Sequence, residues 1–348
     1  MEFTKEQLEI INSNESKIVV TANAGSGKTT VLVERVRRLL SSGADPKKIV
    51  VITFTNSAAD ELKKRIENSE NLFIGTIHSY CYNLLVEGGY GSVVMGLAQE
   101  ERFDKFFEVI EQYPHCIKKV DHLLLDEAQD SDSLQFSFIF NLVKPKNFML
   151  VGDWRQSIYR WKGSEPNLLI NMVSEPDVKT YPLSKNYRCG SEILNFARNI
   201  IKKNGIFYID NSVADRIGGE VIFKELTYDQ VLSGIGVVGE PKDWFLLART
   251  NEDVEILKSK LEKKGLPFVV VRKKDYNNEQ LNLILKENKI KLMTIHQSKG
   301  LESKNVAVVG VRWHSVEEVC INYVAATRAK DLLVWAKPVS KKKKRMAF

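Results

Sequence analysis

The chain has 348 residues, 43% of them hydrophobic and 27% charged, which is enough for one large core or two medium ones. No apolar run approaches the roughly 20 residues of a membrane span, and four scattered cysteines and five histidines show no disulfide or zinc spacing. The net charge of +7 is uneven, −4 over residues 1–180 and +11 over the rest, so the basic second half suits a polyanionic partner, or else is a solvated surface with a disordered tail.

The first ten residues, MEFTKEQLEI, are too charged for a signal peptide, and a soluble intracellular protein is expected. Residues 3–11 predict a short helix. Its Gln7 carries an amide able to read an adenine edge, although alone it reads as a solvated helix residue. Ile18-Val19-Val20 is a buried strand by composition, and the small-residue loop Ala22 to Gly27 follows. Lys28-Thr29-Thr30 then opens an amphipathic helix with Val31, Leu32, Val36, Leu39 and Leu40 on its apolar side. Strand, glycine loop, Lys-Thr and helix together form a phosphate cradle. Gly25 and Gly27 turn N–H groups inward, the helix start adds positive potential, Lys28 reaches the β- and γ-phosphates, and Thr29 holds Mg²⁺. The strict pattern has Gly where this chain has Ala22; the competing reading is a glycine-rich turn with a chance Lys-Thr.

Lys48 to Phe54 predicts a second strand, and Thr55-Asn56-Ser57 caps a helix, giving a βαβ unit and a parallel sheet. Phe54, Thr55 and Asn56 fall at the strand's carboxyl end, where an aromatic could stack a base and small polar groups could bond a phosphate. Alone, Phe54 reads as core packing. Leu72 to His78 predicts a third strand. From Glu87 to Lys119 a Gly-rich piece and a helix over residues 99–113 suggest an insertion on the sheet edge. His122 to Asp130 (HLLLDEAQD) is an apolar strand ending on two carboxylates. Beside a phosphate loop, Asp126 would bind Mg²⁺ and Glu127 would activate water; the alternative is an acidic helix cap. Phe148 to Asp153 is another strand end, followed by WRQSIYRWKG. There Gln156 could sense a γ-phosphate, while Tyr159 and Trp161 interleave with Arg160 and Lys162 as a single-strand track requires. The alternative is a surface loop with buried aromatics.

Tyr181 to Ala197 reads as strand end, turn and helix, with Tyr187 placed to stack on adenine and Arg188 to reach phosphate. A domain boundary is expected near residue 180. Strands are predicted at Glu220 to Leu226, Trp244 to Arg249, Pro267 to Val271, Ile290 onward, Asn305 to Val311 and Leu332 to Ala336. Helices are predicted after Thr250 and over Ser315 to Lys330, with a polar segment from Arg272 to Asn288. Thr294 and His296 could touch a nucleic-acid backbone, and Glu302 could accept from a ribose hydroxyl. Arg328 is a candidate arginine finger. Alone, His296 reads as a structural histidine and Arg328 as a surface helix arginine.

The motifs AGSGKTT, ITFTNSAADELKKR, GTIHS, LLLDEAQD, VGDWRQSIYRWKG, NYR, TIHQSKGLE and YVAATRAKDLL occur in the order found in one family. By them the chain resembles the UvrD/Rep/PcrA family of superfamily 1A DNA helicases. The resemblance implies an α/β fold of two RecA-like P-loop NTPase domains with parallel sheets, residues 1–180 and 181–340, and a basic tail over 341–348. It implies ATP and Mg²⁺ as cofactors, single-stranded DNA and single/double-strand junctions as partners, and 3′-to-5′ movement. Carried over by position, Gln7, Ala24, Gly25, Ser26, Gly27, Lys28, Thr29, Thr30, Arg35, Tyr187 and Glu302 would hold the nucleotide. Thr29 and Asp126 would hold the metal. Lys28, Glu127, Gln156, Arg188 and Arg328 would run hydrolysis, and Phe54, Thr55, Asn56, Thr76, His78, Tyr159, Trp161, Thr294 and His296 would line the DNA path.

The chain departs from the family at Trp154-Arg155, where acidic residues are usual, and at Ser303, where an aromatic is usual. The family's two helical insertions shrink to 87–119 and nearly vanish near 272–289. A cytoplasmic monomer of prokaryotic or viral origin is expected. It would be a translocase or helicase, a motor that needs a partner nuclease or loader, or a non-processive ATP-switched DNA-binding protein.

Overall fold

The computed structural model describes residues 2–66, 69–203, 211–235 and 237–337. The basic run Lys341 to Arg345 lies outside them. The chain forms two compact units, Met1–Ser184 and Lys185–Phe348.

The first unit runs α1 (Lys5–Asn12), β1 (Lys17–Ala22), α2 (Lys28–Ser41), β2 (Ile49–Ile52), α3 (Asn56–Arg65), β3 (Phe73–Gly75) and α4 (Ile77–Leu85). It continues with α5 (Gly91–Gln99), α6 (Lys105–Gln112), β4 (His122–Leu125), α7 (Ser133–Ser137), β5 (Asn147–Gly152), α8 (Pro166–Val173) and β6 (Lys179–Leu183). The strands make one parallel sheet in the order β3-β2-β4-β5-β1-β6. Its apolar runs are buried on both faces. Ile18, Val20, Leu124 and Met149 pack with α1 and α2, while Val19, Leu123, Leu125 and Leu150 pack with α4 and α6. Because all strands are parallel, their carboxyl ends share one edge. The phosphate loop, Phe54, Thr76, Asp126, Asp153 and Ser184 all follow those ends.

Two local expectations are corrected. Leu72 to His78 is not one strand, because Thr76 caps α4 by accepting from the Ser79 N–H, so Ile77 and His78 are helical. Residues 99–113 are not one helix. The Gly-rich stretch before them is itself α5, and Glu101 at φ +56° turns the chain before α6. The shortened insertion over 87–119 packs against the sheet. Its Val94, Phe106, Phe107 and Ile110 join the same buried cluster as the sheet residues Val50, Leu123 and Leu125.

The second unit runs β7 (Lys185–Gly190), α9 (Ser191–Lys203), β8 (Val213–Arg216), β9 (Glu220–Glu225), α10 (Tyr228–Ile235), β10 (Trp244–Ala248) and α11 (Asn251–Lys263). Then come β11 (Phe268–Val270), α12 (Asn278–Lys286), β12 (Ile290–Thr294), α13 (Ile295–Ser298), β13 (Ser303–Val309), α14 (Val316–Ala326) and β14 (Ala329–Lys337). Six of its strands form a second parallel sheet, β11-β12-β10-β13-β14-β9, and β7 pairs with β8. The turn expected after Tyr181 contains a strand, β7. The polar segment Arg272 to Asn288 holds α12, started by a capping box between Asn277 and Gln280. The helix expected to reach Lys330 ends at Ala326, where the Thr327 hydroxyl donates back to the carbonyls of Tyr323 and Val324.

Gly152 closes β5 at a tight contact. A Cβ there would lie 2.5 Å from Leu169 Cδ2 and 2.7 Å from Gln129 Oε1. Gly152→Ala is expected to cost about 1–3 kcal/mol and to lower the thermal midpoint by about 2–4 °C per kcal/mol, read by circular dichroism. An unchanged midpoint would mean that the Leu169 and Gln129 side chains move aside without strain.

Candidate nucleotide and nucleic-acid site

In the first unit the phosphate loop needs glycine for conformation as well as for space. Gly25 and Gly27 sit at φ +65° and +82°, in the left-handed region. Gly27 precedes α2 and supplies no side-chain cap, which leaves the first N–H groups of the helix for a ligand. Ser26 Oγ is buried without a partner. An orphaned hydroxyl beside open N–H groups fits a phosphate, which accepts such donors. Gln7 is buried rather than solvated. Its Oε1 accepts from the Thr4 N–H at 3.0 Å, and its Nε2 lies 3.2 Å from where a Gly27 Cβ would stand, directly over the loop.

Lys28 Nζ, at the start of α2, lies 3.8 Å from Glu127 Oε1, just past β4. Glu127 takes φ +52°, a strained conformation for a non-glycine residue. Two contacts hold it there: its N–H donates to Asp126 Oδ1 at 2.9 Å, and Gln129 Nε2 donates to its Oε2. Asp126 is buried, and its N–H donates to the Ile52 carbonyl. Among the described residues no three His, Cys, Asp or Glu side chains gather as a metal cage. A cation at Thr29 and Asp126 would therefore rely on phosphate oxygens and water, the habit of Mg²⁺.

Past β5, Asp153 accepts from Arg155 Nε at 2.7 Å on one oxygen and from Gln156 Nε2 at 2.8 Å on the other. The ion pair is fully desolvated, with side-chain exposures of 0% for Asp153 and 5% for Arg155. Arg155 also donates to the Ala22 carbonyl and to Asn23 Oδ1. Sequence reasoning gave no site role to Asn23 or Gln129 and noted Arg155 only as a departure from the family; a cation two residues after Asp153 is the available signal.

Two of the nucleotide contacts expected from the resemblance face elsewhere. Arg35 donates to the carbonyls of Ile11 and Ser13, ahead of β1, and therefore lies at the amino edge of the sheet, away from the loop. Thr30 Oγ1 accepts from Arg65 on α3. The DNA-path residues of this unit separate into a platform and a set of caps. Phe54 and Tyr159 stack with centroids 5.1 Å apart and planes 18° apart, and Lys162 lies over Tyr159 and Trp161 at 5.7 and 5.1 Å. Trp161 is 65% exposed. Thr55 and Thr76 cap α3 and α4. Asn56 is exposed in the first turn of α3, and His78 pairs with Asp104 at 3.1 Å.

In the second unit Arg188 donates to Glu302 Oε2 at 2.6 Å and to the Thr327 carbonyl at 3.2 Å. Lys330 holds the other Glu302 oxygen. Burial alone would raise the Glu302 carboxyl, but Arg188 and Lys330 together bring it down to about 2. Arg328 is not a surface helix residue. It is 1% exposed and donates to the carbonyls of Val324 and Leu301 and to Thr327 Oγ1. Tyr187 is exposed, with Lys185 Nζ 5.1 Å from its ring centroid. Glu302 and Arg328 immediately precede β13 and β14, at the amino edge of the sheet. Thr294, which caps α13, and half-buried His296 follow β12 at the carboxyl edge.

Residues 3–114 and 102–177 match the UvrD/REP helicase N-terminal domain, and residues 273–338 match the UvrD-like helicase C-terminal domain. The chain is 27% identical over 335 residues to Gabija protein GajB of Bacillus cereus (strain VD045), covering 81% of this chain and 67% of that protein. It is 26% identical over 389 residues to ATP-dependent DNA helicase PcrA of Staphylococcus epidermidis, covering 81% of this chain and 53% of the relative. With PcrA of Staphylococcus aureus (strain Mu50 / ATCC 700699) it shares 25% identity over 421 residues, covering 90% and 57%. The chain thus spans little more than half the length of these PcrA relatives. On the parallel sheets, the phosphate loop and the matches to both helicase domains, the chain belongs to the UvrD/REP family of DNA helicases, whose domains are RecA-like.

Proposed function

We propose that the chain hydrolyses ATP to move along single-stranded DNA, 3′ to 5′, as a cytoplasmic monomer. The observation that carries this reading is the approach of Lys28 to Glu127, 3.8 Å, on the sheet edge that also bears the Phe54–Tyr159 stack. Phosphoryl transfer needs a cation on the phosphates and a base beside the attacking water, and those two side chains supply them. Mg²⁺ held by Thr29 and Asp126 would neutralise charge on the phosphates. Gln129 keeps the Glu127 carboxylate aimed, and Gln156 is placed to sense the terminal phosphate. Arg188 and Arg328, contributed by the second unit, would stabilise the charge of the transferring group, so turnover would require both units. Stacking on Tyr159 and Trp161 would resist backsliding on the strand.

A second reading is favoured by the short insertions: the motor translocates alone but unwinds only with a protein partner. Among the described residues, 87–119 pack onto the sheet of their own unit, and β11 and β12 are linked through α12 with no larger subdomain. Little is left to engage a duplex. ATPase rates with and without oligo-dT, run beside tailed duplexes of both polarities and streptavidin displacement, separate the readings. A lone helicase opens the 3′-tailed duplex, a partner-dependent motor only clears streptavidin, and a nucleotide switch does neither.

Glu127→Gln is expected to retain ATP and DNA binding while turnover falls about 10²–10⁴-fold; turnover near the wild-type rate removes Glu127 as the base. Glu302 gives a pH prediction. Its carboxyl falls from 4.5 to about 2 on folding, so its contribution to stability is complete above the unfolded value and is lost as pH falls from there towards the folded one. Glu302→Gln should flatten the acid-side fall of the urea midpoint across that window. An unchanged slope would show that Arg188 and Lys330 do not hold the ionised form.

A further inference from the structure

The phosphate loop is tied to the end of the first unit by a continuous set of polar contacts that the proposed chemistry does not itself use. Asn23, the first residue after β1, donates its N–H to the Leu183 carbonyl at 3.3 Å, and its Nδ2 to the carbonyls of Leu183 at 3.1 Å and Ser184 at 3.4 Å. Its Oδ1 accepts from Arg155, which shares the Asp153 carboxylate with Gln156. On the other side, Glu6 grips Ser184 twice, accepting from its N–H at 2.9 Å and from its hydroxyl at 2.6 Å. The next residue, Gln7, places its amide over Gly27. The polar contacts therefore run from Gln156 through Asp153, Arg155 and Asn23 to Leu183 and Ser184 and end on Glu6, whose chain neighbour Gln7 lies over the loop. Ser184 is the last residue of the first unit, and Lys185 opens the second.

We propose that Asn23, Arg155 and Glu6 are positioning residues that couple occupancy of the phosphate loop to the end of β6, where the chain leaves the first unit. The inference rests on nucleotide binding at this loop. Asn23 is buried and hydrogen-bonded on both sides of its amide, and it is also the covalent start of the loop. A ligand that reorganises Gly25 to Gly27 or Gln156 can leave Leu183 and Ser184 undisturbed only by breaking desolvated hydrogen bonds, which are costly to leave unmade. Glu6 supplies the counter-grip, so that displacement at Asn23 becomes a changed environment at the Ser184 amide.

The test is hydrogen–deuterium exchange of the full chain with and without a non-hydrolysable ATP analogue and Mg²⁺, read at the Ser184 amide, which donates to Glu6 and precedes the residues proposed to touch the nucleotide. Wild type is expected to exchange about ten-fold more slowly there when the analogue is bound. Glu6→Ala should abolish that response while leaving the affinity for the analogue within about three-fold, since Glu6 touches Ser184 and not the loop. Asn23→Ser, which keeps the backbone bond to Leu183 but loses the side-chain contacts to Leu183, Ser184 and Arg155, should weaken it several-fold. Glu6→Gln, which retains an acceptor for the Ser184 hydroxyl, should restore part of it. An analogue that binds wild type without altering exchange at the Ser184 amide overturns the coupling, as does a Glu6→Ala protein that responds like wild type. Absence of any binding by wild type would sink the proposed function and this inference with it, and calorimetric titration of the same analogue tells that case apart.

Discussion

Every chemically active group of the first unit depends on one topological constraint, that all six strands run the same way. A parallel strand can be joined to the next only by a crossover, so each strand ends on the same edge and each crossover begins there. Lys28 follows β1, Phe54 follows β2, Thr76 follows β3, Glu127 follows β4, and Gln156 follows β5. Groups scattered over about 130 residues are thereby gathered without any of them being neighbours in sequence. In the second unit the same constraint separates rather than gathers. Glu302 and Arg328 sit where strands begin, Thr294 and His296 where one ends, and a strand of β13's length keeps those edges about 20 Å apart. Under the proposed function, phosphate would meet the arginines at one edge and a nucleic-acid backbone the small polar groups at the other, so the two ligands would not compete.

Charge burial explains the most visible departure from the family pattern. A carboxylate with no solvent exposure, as at Asp153, is tolerated only when it is paired and hydrogen-bonded. In this chain the partner is Arg155, two residues away, and Gln156 satisfies the second oxygen. The cation that replaces an acidic residue therefore answers a local electrostatic need, and its remaining donors reach the carbonyl of Ala22 and the amide of Asn23. Gln156 is fixed by the same carboxylate, so the residue placed to sense phosphate inherits the rigidity of the buried pair.

The sequence was legible wherever a motif coincided with a strand end, because apolar runs such as Ile18 to Val20 and Leu123 to Leu125 are dictated by burial on both faces. It was less legible where tertiary packing overrode local preference. α5 contains two glycines and exposes most of its residues, yet Val94 is drawn into the core and the segment is helical. α12 is polar enough to read as a loop. Arg35 misled for a geometric reason. Seven residues is nearly two helical turns, so it shares the sheet-facing side of α2 with Lys28 but lies about 10 Å further along the axis. At that depth the available acceptors are the carbonyls of Ile11 and Ser13. For Arg328 the alternative of a surface helix arginine fails, because the helix stops at Ala326, where the Thr327 hydroxyl turns back onto it and the Arg328 side chain is buried.

The two arginines nominated for the same task are held in different ways, and this constrains how each could act. Arg328 is buried and its guanidinium donates to two backbone carbonyls and a hydroxyl, so moving it would strand desolvated donors and acceptors. An arginine stays charged even when buried, which makes Arg328 a fixed source of positive potential beside Thr327. Arg188 is more exposed, and its firmest contact is with Glu302, a carboxylate that Lys330 also holds. With a second cation already neutralising Glu302, Arg188 can exchange that contact for a phosphate oxygen without leaving a buried charge unpaired. The two arginines meet at one residue, since Arg188 donates to the Thr327 carbonyl and Arg328 to the Thr327 hydroxyl. That hydroxyl also ends α14, so the turn that stops the helix is the same turn that sets the spacing between the two guanidinium groups.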